Sequence, residues 1–374
     1  MSRILMLAQA CAPVVGGVES HVEDLVHGLR QRGDAVQLLC GRGSSGPADE
    51  INRVIVSPAV RDADLFSAGA LDRAQLESVI ADTCLSFNPD VIHVHNPNHF
   101  DPALADNVLS RRSCPRVVAS VHDRPAEPGC NGVLARDWDH VLFASRYLRD
   151  TLPTPPIHSV LHLGIDTDLF HPGVAPHPAI AALERPLIFH PARLLLWKGV
   201  LDSVEAFIEV RKRRGSGTLL LVASNNILAA DEQVEMVRSE VLRRCEDAGI
   251  HDAVLFRDFA RSEMPAAYAA CDVVWYPTRA EEPFGLVPLE AMACGRAVVI
   301  ASSGGMRETI TDGRGGFVIT AGDVRALAEK TVALLSNPRL RGCMEHEAAR
   351  QAPSRSLESY LDQLRRIYQG GARR

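Results

Sequence analysis

Two carboxylates, Glu282 and Glu290, stand with seven residues between them in a segment that carries Pro288 and ends at Gly295. Because proline is tolerated only in the first turn of a helix, we predict a helix from about Leu286 to Gly295. Free N–H groups at its start would lie between the carboxylates and face an anion. Carboxylates bind vicinal hydroxyls well, so the arrangement suits a nucleotide sugar. The alternative is that Glu290 only balances the helix dipole and Glu282 is an ordinary loop charge.

Two cations, Arg193 and Lys198, follow an apolar run at residues 187–190 that predicts a strand. In a strand-to-helix loop, an arginine fork and a lysine point charge could together clamp a diphosphate. The chain has only three lysines, Lys198, Lys212 and Lys330, so one beside an arginine is less easily explained as surface solubility. The alternative is a solvated loop.

Two glycines, Gly16 and Gly17, lie between a strand predicted at residues 3–8 and a helix predicted at residues 18–31. Glycine lets the backbone approach a ligand closely, and the helix start offers N–H groups to an anion. The segment is not G-x-G-x-x-G, so a dinucleotide fingerprint is absent. Simple turn geometry is the alternative.

Histidines follow two further predicted strands of the first half. His93 and His95 form an H-x-H pair that could bind a metal if His99 supplied a third ligand, line an acceptor site, or be structural. Asp123 and Arg124 come after a strand predicted at residues 116–120, and we treat them, with His95, as acceptor-side candidates.

Short apolar runs alternate with amphipathic segments along the whole chain, which predicts βαβ units and parallel sheets. We expect an α/β protein of two doubly wound, Rossmann-like domains that face a cleft. Ligands of such sheets bind beyond the carboxyl ends of the strands. The further strands and helices that we predict are at residues 36–40, 71–86, 91–94, 116–120, 140–144, 200–212, 218–222, 253–256, 272–276, 297–300 and 356–369.

The expected domain boundaries follow from a change of texture after residue 170. Residues 171–186 contain four prolines without a clear period, which indicates a linker. We therefore expect an acceptor-binding domain at residues 1–170, a donor-binding domain at 187–352, and a C-terminal helix within 353–374 that packs back on the first domain.

Taken together and in order, these motifs resemble the retaining GT-B glycosyltransferases of family 4. The departures are His162-Leu163, where relatives often carry asparagine before the glycine, and Met306-Arg307 in place of the commoner Ile-Pro; both leave donor and acceptor open. The resemblance is carried by the Glu282–Glu290 spacing, Arg193 with Lys198, Gly16-Gly17, and residues 121–123, 162–170 and 304–308.

The resemblance implies a role for each of these residues. Glu290 would hold the ribose and Glu282 the donor sugar, while Arg193 and Lys198 would neutralise the diphosphate, so that no metal or other cofactor is expected. His122 would face the donor sugar and the reacting centre, and the leaving phosphate would take the acceptor's proton, so no protein nucleophile is named. The predicted catalytic residues are His122 and Glu282, and the predicted donor-binding residues are Gly16, Gly17, Arg193, Lys198, Phe284, Gly285, Leu286 and Glu290; the backbone of residues 257–259 would hold the base.

Composition limits the remaining choices. The 374 residues, 46 % hydrophobic and 23 % charged, fit a globular chain with room for two cores, and the net charge of −6 disfavours nucleic acid as a partner. No apolar run is long enough for a transmembrane helix. The nine scattered cysteines form no C-x-x-C pair, so we expect free thiols and a cytoplasmic protein.

The resulting hypothesis is metal-independent transfer of a hexose or amino-hexose, with UDP as the default nucleotide, to a soluble small-molecule hydroxyl. The first domain shows no basic amphipathic patch, which disfavours membrane docking. The low lysine content relative to arginine hints at a bacterium of high GC content and at secondary metabolism. The alternatives are a nucleotide-sugar epimerase or phosphorylase on the same fold, or a non-catalytic nucleotide-sugar binding protein.

Overall fold

The computed structural model describes residues 1–10, 16–42, 53–55, 73–99, 102–111, 116–124, 128–222 and 231–370. The chain divides into two compact units. The first combines Met1–Gly164 with Leu357–Arg374, and the second is Ile165–Ser356.

The first unit contains a parallel sheet whose described strands follow the order β3-β2-β1-β4-β5-β6-β7. Its central strands are buried along their length, as in the continuous burial of Val91–His95, because helices cover both faces of a parallel sheet. The described strands are β1 Arg3–Ala10, β2 Ala35–Arg42, β3 Arg53–Ile55, β4 Val91–His95, β5 Arg116–Val121, β6 His140–Phe143 and β7 His158–Val160. The described α-helices are Gly17–Gln31, Arg73–Phe87, Pro102–Leu109, Arg146–Thr151 and Leu357–Tyr368.

The second unit repeats this plan with a parallel sheet in the order β10-β9-β8-β11-β12-β13. Side chains alternate across it, so that Trp275 enters the core on one face and Tyr276 the core on the other. The described strands are β8 Leu187–His190, β9 Thr218–Val222, β10 Val254–Arg257, β11 Val273–Tyr276, β12 Val298–Ala301 and β13 Gly316–Ile319. The described α-helices are Pro178–Ala181, Val200–Arg214, Asp231–Asp247, Met264–Ala270, Leu286–Ala293, Val324–Ser336 and Pro338–Gln351.

Each sheet has a point where the strand order reverses, between β1 and β4 in the first unit and between β8 and β11 in the second. Loops that leave neighbouring strands there diverge to opposite faces and open a crevice, which is where doubly wound sheets bind ligands. Arg193 and Lys198 follow β8, and Glu282 follows β11. The topology therefore places these candidate donor residues at the reversal of the second sheet.

The structure differs from the expected domain boundaries at the predicted linker. Residues 171–186 belong to the second unit, where they include the helix Pro178–Ala181. Ile180 is buried in the core of that unit, which anchors the proline-rich segment instead of leaving it as a free connection. The helix Leu357–Tyr368 belongs to the first unit and pairs with it through Arg32, which contacts Asp362 at 2.6 Å.

The cysteines differ from expectation at one position. Cys84, Cys245, Cys271, Cys294 and Cys343 are free thiols as expected, but Cys40 is disulfide-bonded. The prediction of free thiols throughout was therefore wrong at Cys40, because the spacing of cysteines along a sequence does not show which of them form a bond.

Candidate active site

The helix Leu286–Ala293 begins at a glycine that no other residue could replace without strain. Gly285, its N-cap, has φ +93°, in the region that L side chains rarely adopt. The helix thus starts where the sequence predicted, and it ends two residues before the predicted Gly295. Phe284, the residue before the cap, is buried, which anchors the loop in the second unit.

The loop that carries Glu282 is held by the turn at Gly304-Gly305. The Gly305 N–H donates to the Glu282 carbonyl at 2.8 Å, and the Glu282 N–H donates to Ser303 Oγ at 3.3 Å. A Cβ on Gly304 would overlap the Glu282 carbonyl oxygen. The glycine pair therefore lets two loops touch backbone to backbone and sets the position of the Glu282 side chain.

Lys198 and Glu282 form a largely buried ion pair. Lys198 Nζ lies 2.8 Å from Glu282 Oε2, and the two side chains are only 8 % and 12 % exposed. Lys198 Nζ also donates to the Tyr276 hydroxyl at 2.5 Å. In the structure, the lysine expected on the diphosphate shares its charge with the carboxylate expected on the donor sugar.

Arg193 presents a different picture from Lys198. Its side chain is half-buried in the loop after β8, and within the described residues its guanidinium makes no ion pair. Burial raises the pKa of Tyr276, and the charge of Arg193 opposes that shift, so the arginine acts electrostatically on the tyrosine that Lys198 contacts. Arg193 is thus the candidate-site cation best able to accept a phosphate.

Glu290 lies at the fifth position of the helix Leu286–Ala293 and is buried. Tyr268 donates its hydroxyl to Glu290 Oε2 at 2.7 Å, and an Arg261 nitrogen lies 3.8 Å from Oε1. Burial raises the pKa of Glu290, while Arg261 and Tyr268 act in the opposite direction. The result is a carboxylate with fixed orientation, suited to accept hydrogen bonds from a pair of hydroxyls.

His122 follows β5 in the first unit and shares a hydrogen bond with His95. His122 Nε2 lies 3.0 Å from His95 Nδ1, with the rings stacked at 5.3 Å, and the His122 N–H donates to Asn96 Oδ1 at 2.7 Å. Burial lowers the pKa of His122 to about 4. His122 is therefore a neutral imidazole at pH 7 whose ring is fixed by a second histidine.

His93, the first histidine of the H-x-H pair, makes hydrogen bonds on both sides of its ring. Both His93 nitrogens are engaged, Nδ1 with the Tyr368 hydroxyl at 2.6 Å and Nε2 with Ser120 Oγ at 2.7 Å. Across the described parts of the chain, no group of three or more histidine, cysteine or acidic side chains has the arrangement to hold a metal ion. His93 instead ties β4 to β5 and to the C-terminal helix.

The other first-unit candidates lie near the ends of the same strands. Asp123 and Arg124 are exposed, and Arg124 Nη1 donates to the Tyr147 hydroxyl at 2.8 Å. Gly16 is extended, with φ −166°, and directly precedes the helix Gly17–Gln31. The rest of the predicted glycine loop, residues 11–15, lies outside the described residues.

The predicted residues thus form two groups, one in each unit. Sequence reasoning placed Tyr276 at the end of the strand predicted at residues 272–276 and did not single out Tyr268 or Arg261, although all three contact a candidate carboxylate or its lysine. A usable signal existed for Tyr276, because it is the last residue of β11 and so lies at the ligand-binding edge of the sheet.

The buried histidines should make the protein sensitive to acid. Burial lowers the pKa of His122 to about 4 and those of His93 and His190 to about 3, against about 6.5 in an unfolded chain. The unfolded state therefore takes up protons first as the pH falls, and each pKa unit of difference corresponds to about 1.4 kcal/mol. We expect the contribution of these histidines to the free energy of unfolding, measured by urea titration, to be constant above about pH 6.5. Between about pH 6.5 and pH 4 the free energy of unfolding should fall steeply. His122→Gln should show a shallower fall; a wild-type curve that stays level over this range would contradict the prediction.

Both halves of the chain match family models of sugar-transferring enzymes. Residues 15–169 match the model described as Glycosyltransferase Family 4, and residues 185–337 match the model described as Glycosyl transferases group 1. Together these ranges span most of the chain.

Two curated relatives act in sugar transfer by name. A GDP-mannose-dependent alpha-(1-6)-phosphatidylinositol monomannoside mannosyltransferase of Mycolicibacterium smegmatis is 33 % identical over 269 residues, covering 65 % of this chain and 66 % of its own. A D-inositol 3-phosphate glycosyltransferase of Geodermatophilus obscurus is 29 % identical, covering 98 % of this chain and 87 % of its own.

The fold is shared with solved glycosyltransferase structures. HepE of Anabaena, crystallised with UDP and glucose, superposes with a TM-score of 0.78 at 20 % identity, over 99 % of this chain and 100 % of that one. None of the helices described here is both long and apolar enough to cross a membrane. With both halves matched by family models and the two-domain fold shared over nearly its whole length, the chain belongs to the family 4 glycosyltransferases of the GT-B fold.

Proposed function

We propose that the protein transfers a hexosyl group from a nucleoside-diphosphate hexose to a hydroxyl of its acceptor, with retention of configuration and without a metal. The observation that carries the proposal is the start of the helix Leu286–Ala293, which the half-buried Glu282 precedes and the buried Glu290 follows. Arg193 and Lys198 lie after the neighbouring strand β8. A diphosphate at this helix start could therefore bind to free N–H groups and to the two cations. The carboxylates on either side could accept hydrogen bonds from the hydroxyls of the ribose and of the sugar.

The chemistry assigned to these groups is electrostatic. As the bond from the sugar C1 to the phosphate oxygen breaks, negative charge grows on the diphosphate, and Arg193, Lys198 and the helix start stabilise it. The acceptor oxygen forms the new bond to C1, and its proton passes to the departing phosphate oxygen. Glu282 already accepts a hydrogen bond from Lys198, which fits a role in orienting sugar hydroxyls better than one as a free nucleophile. We propose neutral His122 of the first unit as a further catalytic residue of the transfer.

The relatives suggest which donor nucleotide to test first. The family resemblance makes uridine the default, whereas the mannosyltransferase relative is named as GDP-mannose-dependent. We propose GDP-mannose as the first donor to test, with UDP-glucose beside it.

For the acceptor we propose a polyol hydroxyl of the inositol type, because the names of both relatives contain inositol. A soluble inositol phosphate is preferred to a phosphatidylinositol, since the helix Gly17–Gln31 has Glu19, Glu23 and Asp24 on it and no basic patch for a membrane surface.

The testing experiment measures thermal stabilisation by UDP, GDP, ADP and TDP and by their hexoses, in the presence of EDTA. A ligand at a hundredfold excess over its Kd should add about 2.7 kcal/mol of stability for one of the four. The stabilising donor is then incubated with inositol 1-phosphate or with phosphatidylinositol vesicles, and the anomeric configuration of the product is read by NMR. Stabilisation by none of the four would oppose the proposal, and conversion of the donor without any acceptor would favour an epimerase instead.

A further inference from the structure

Tyr276 contacts the reacting part of the site through a hydrogen bond that its place in the core does not require. It is the last residue of β11, its side chain is buried, and its hydroxyl oxygen accepts a hydrogen bond from Lys198 Nζ at 2.5 Å. The same nitrogen lies 2.8 Å from Glu282 Oε2. Tyrosine, lysine and glutamate therefore form one buried cluster, which we call the Tyr276 triad.

The chemistry of the Tyr276 triad determines what the tyrosine does in it. A lysine ammonium sits on a flexible four-carbon stem, so its position depends on the groups that accept its protons. Lys198 is held by the Tyr276 oxygen, by the Glu282 carboxylate, and by the face of Trp197, whose ring centre lies 4.0 Å from Nζ. Only the first two are directional hydrogen bonds.

The tyrosine also keeps its own proton. Burial, followed by the charge of Glu282 and a hydrogen bond to it, raises the pKa of Tyr276 well above its ordinary value. The hydroxyl can therefore accept from Lys198 and donate towards Glu282 at the same time. A phenylalanine would fill the same space and lose the hydrogen bond with Lys198.

We propose that Tyr276 is a positioning residue for sugar transfer, which holds the Lys198 ammonium and the Glu282 carboxylate in fixed relative geometry at the junction of sugar and diphosphate. This rests on the proposed function, since it assigns the lysine to the phosphates and the glutamate to the sugar. Misplacement of groups that act on the transition state lowers kcat more than it weakens ground-state binding.

Trp275 supplies a matched control on the same strand. Its side chain enters the core on the opposite face of the sheet, where Nε1 donates to Thr331 Oγ1 at 2.8 Å. Trp275→Phe removes one buried hydrogen bond of β11, as Tyr276→Phe does. The bond that it removes lies on the face of the sheet opposite the Tyr276 triad. Both variants should lower the melting temperature, but only Tyr276→Phe should lower kcat.

The kinetic arm compares the two variants with the wild type. We expect Tyr276→Phe to lower kcat about 10- to 100-fold while the Kd of the nucleoside diphosphate changes less than about threefold, and Trp275→Phe to leave kcat within about twofold. On a Glu282→Gln background, Tyr276→Phe should cost little more, because groups that act as a unit are not additive. An unchanged kcat in Tyr276→Phe, or full additivity with Glu282→Gln, would overturn the proposal.

The second arm reads the lysine directly and needs no activity. The three lysines of the chain allow ¹⁵Nζ-lysine NMR to resolve Lys198 from Lys212 and Lys330. We expect one ammonium signal protected from solvent exchange in the wild type and in Trp275→Phe, and its loss in Tyr276→Phe. If the signal persists in Tyr276→Phe, the positioning role is wrong. If it is lost but the wild type transfers no sugar, the proposed function fails while the contact on which the inference depends stands.

Discussion

Glu282→Gln is expected to lower kcat for sugar transfer by about 10²- to 10³-fold, the scale for removing one preorganised electrostatic contact. Glutamine keeps the shape of the side chain but loses the charge that partners Lys198 at 2.8 Å and that would accept hydrogen bonds from the donor sugar. Both losses act on the reacting part of the donor.

The same substitution should leave nucleotide binding intact or strengthen it. In the structure the Lys198 ammonium is paired with the Glu282 carboxylate. Replacing Glu282 by neutral glutamine should therefore leave the lysine charge available to a diphosphate. We therefore expect kcat and the Kd of the nucleoside diphosphate, measured by calorimetry, to move independently. This separation distinguishes a sugar-orienting carboxylate from one that merely maintains the fold.

The matched control is Glu281→Gln, one residue earlier in the same loop, where the side chain is exposed. It removes an equal charge at an exposed position that is not a member of the Lys198–Glu282 pair, and we expect it to retain near wild-type kcat. Equal activity of the two variants would refute the assignment of Glu282, and a parallel loss of nucleotide binding and activity in Glu282→Gln would indicate a collapsed loop.

The strands in the middle of each sheet could be predicted from the sequence because burial on both faces demands continuous apolar runs. The predicted strands at residues 187–190 and 218–222 coincide with β8 and β9. The short strands β3, β7 and β13 were not predicted. β3 and β7 are three residues long and β13 four, and all lie at sheet edges, where neither length nor apolar pattern separates a strand from a loop.

The candidate site divides in the same way between what spacing shows and what only folding shows. Glu282 and Glu290 lie in one continuous loop and helix, so their spacing in the sequence was enough to predict that both flank an anion-binding helix start. The Lys198 contacts join residues 84 and 78 positions apart, and no local pattern predicts such a pairing. Tyr276 ends the strand predicted at residues 272–276 and is buried, but a place at the end of a strand does not show which group its hydroxyl contacts.

Arg193→Ala is expected to weaken nucleoside-diphosphate binding by about 30- to 150-fold, about 2–3 kcal/mol, the range for losing a charge-assisted contact. The reason is the unequal state of the two cations. Lys198 already has a carboxylate partner, whereas the described residues give Arg193 none, so the arginine should bear the larger share of the phosphate charge.

Affinity should also depend on the shape of the cation at this position. Arg193→Lys keeps the charge but not the two-pronged geometry, and we expect its Kd to fall between the wild type and the alanine variant. Binding of the nucleoside without phosphates should be the same in all three, since that ligand has no group for the arginine. Arg339→Ala, an exposed cation at the start of the helix Pro338–Gln351, controls for the change in net charge. If diphosphate affinity survives the loss of Arg193, the phosphate clamp is formed by Lys198 and the helix start alone, and donor binding would have to break the buried ion pair that the lysine makes with Glu282.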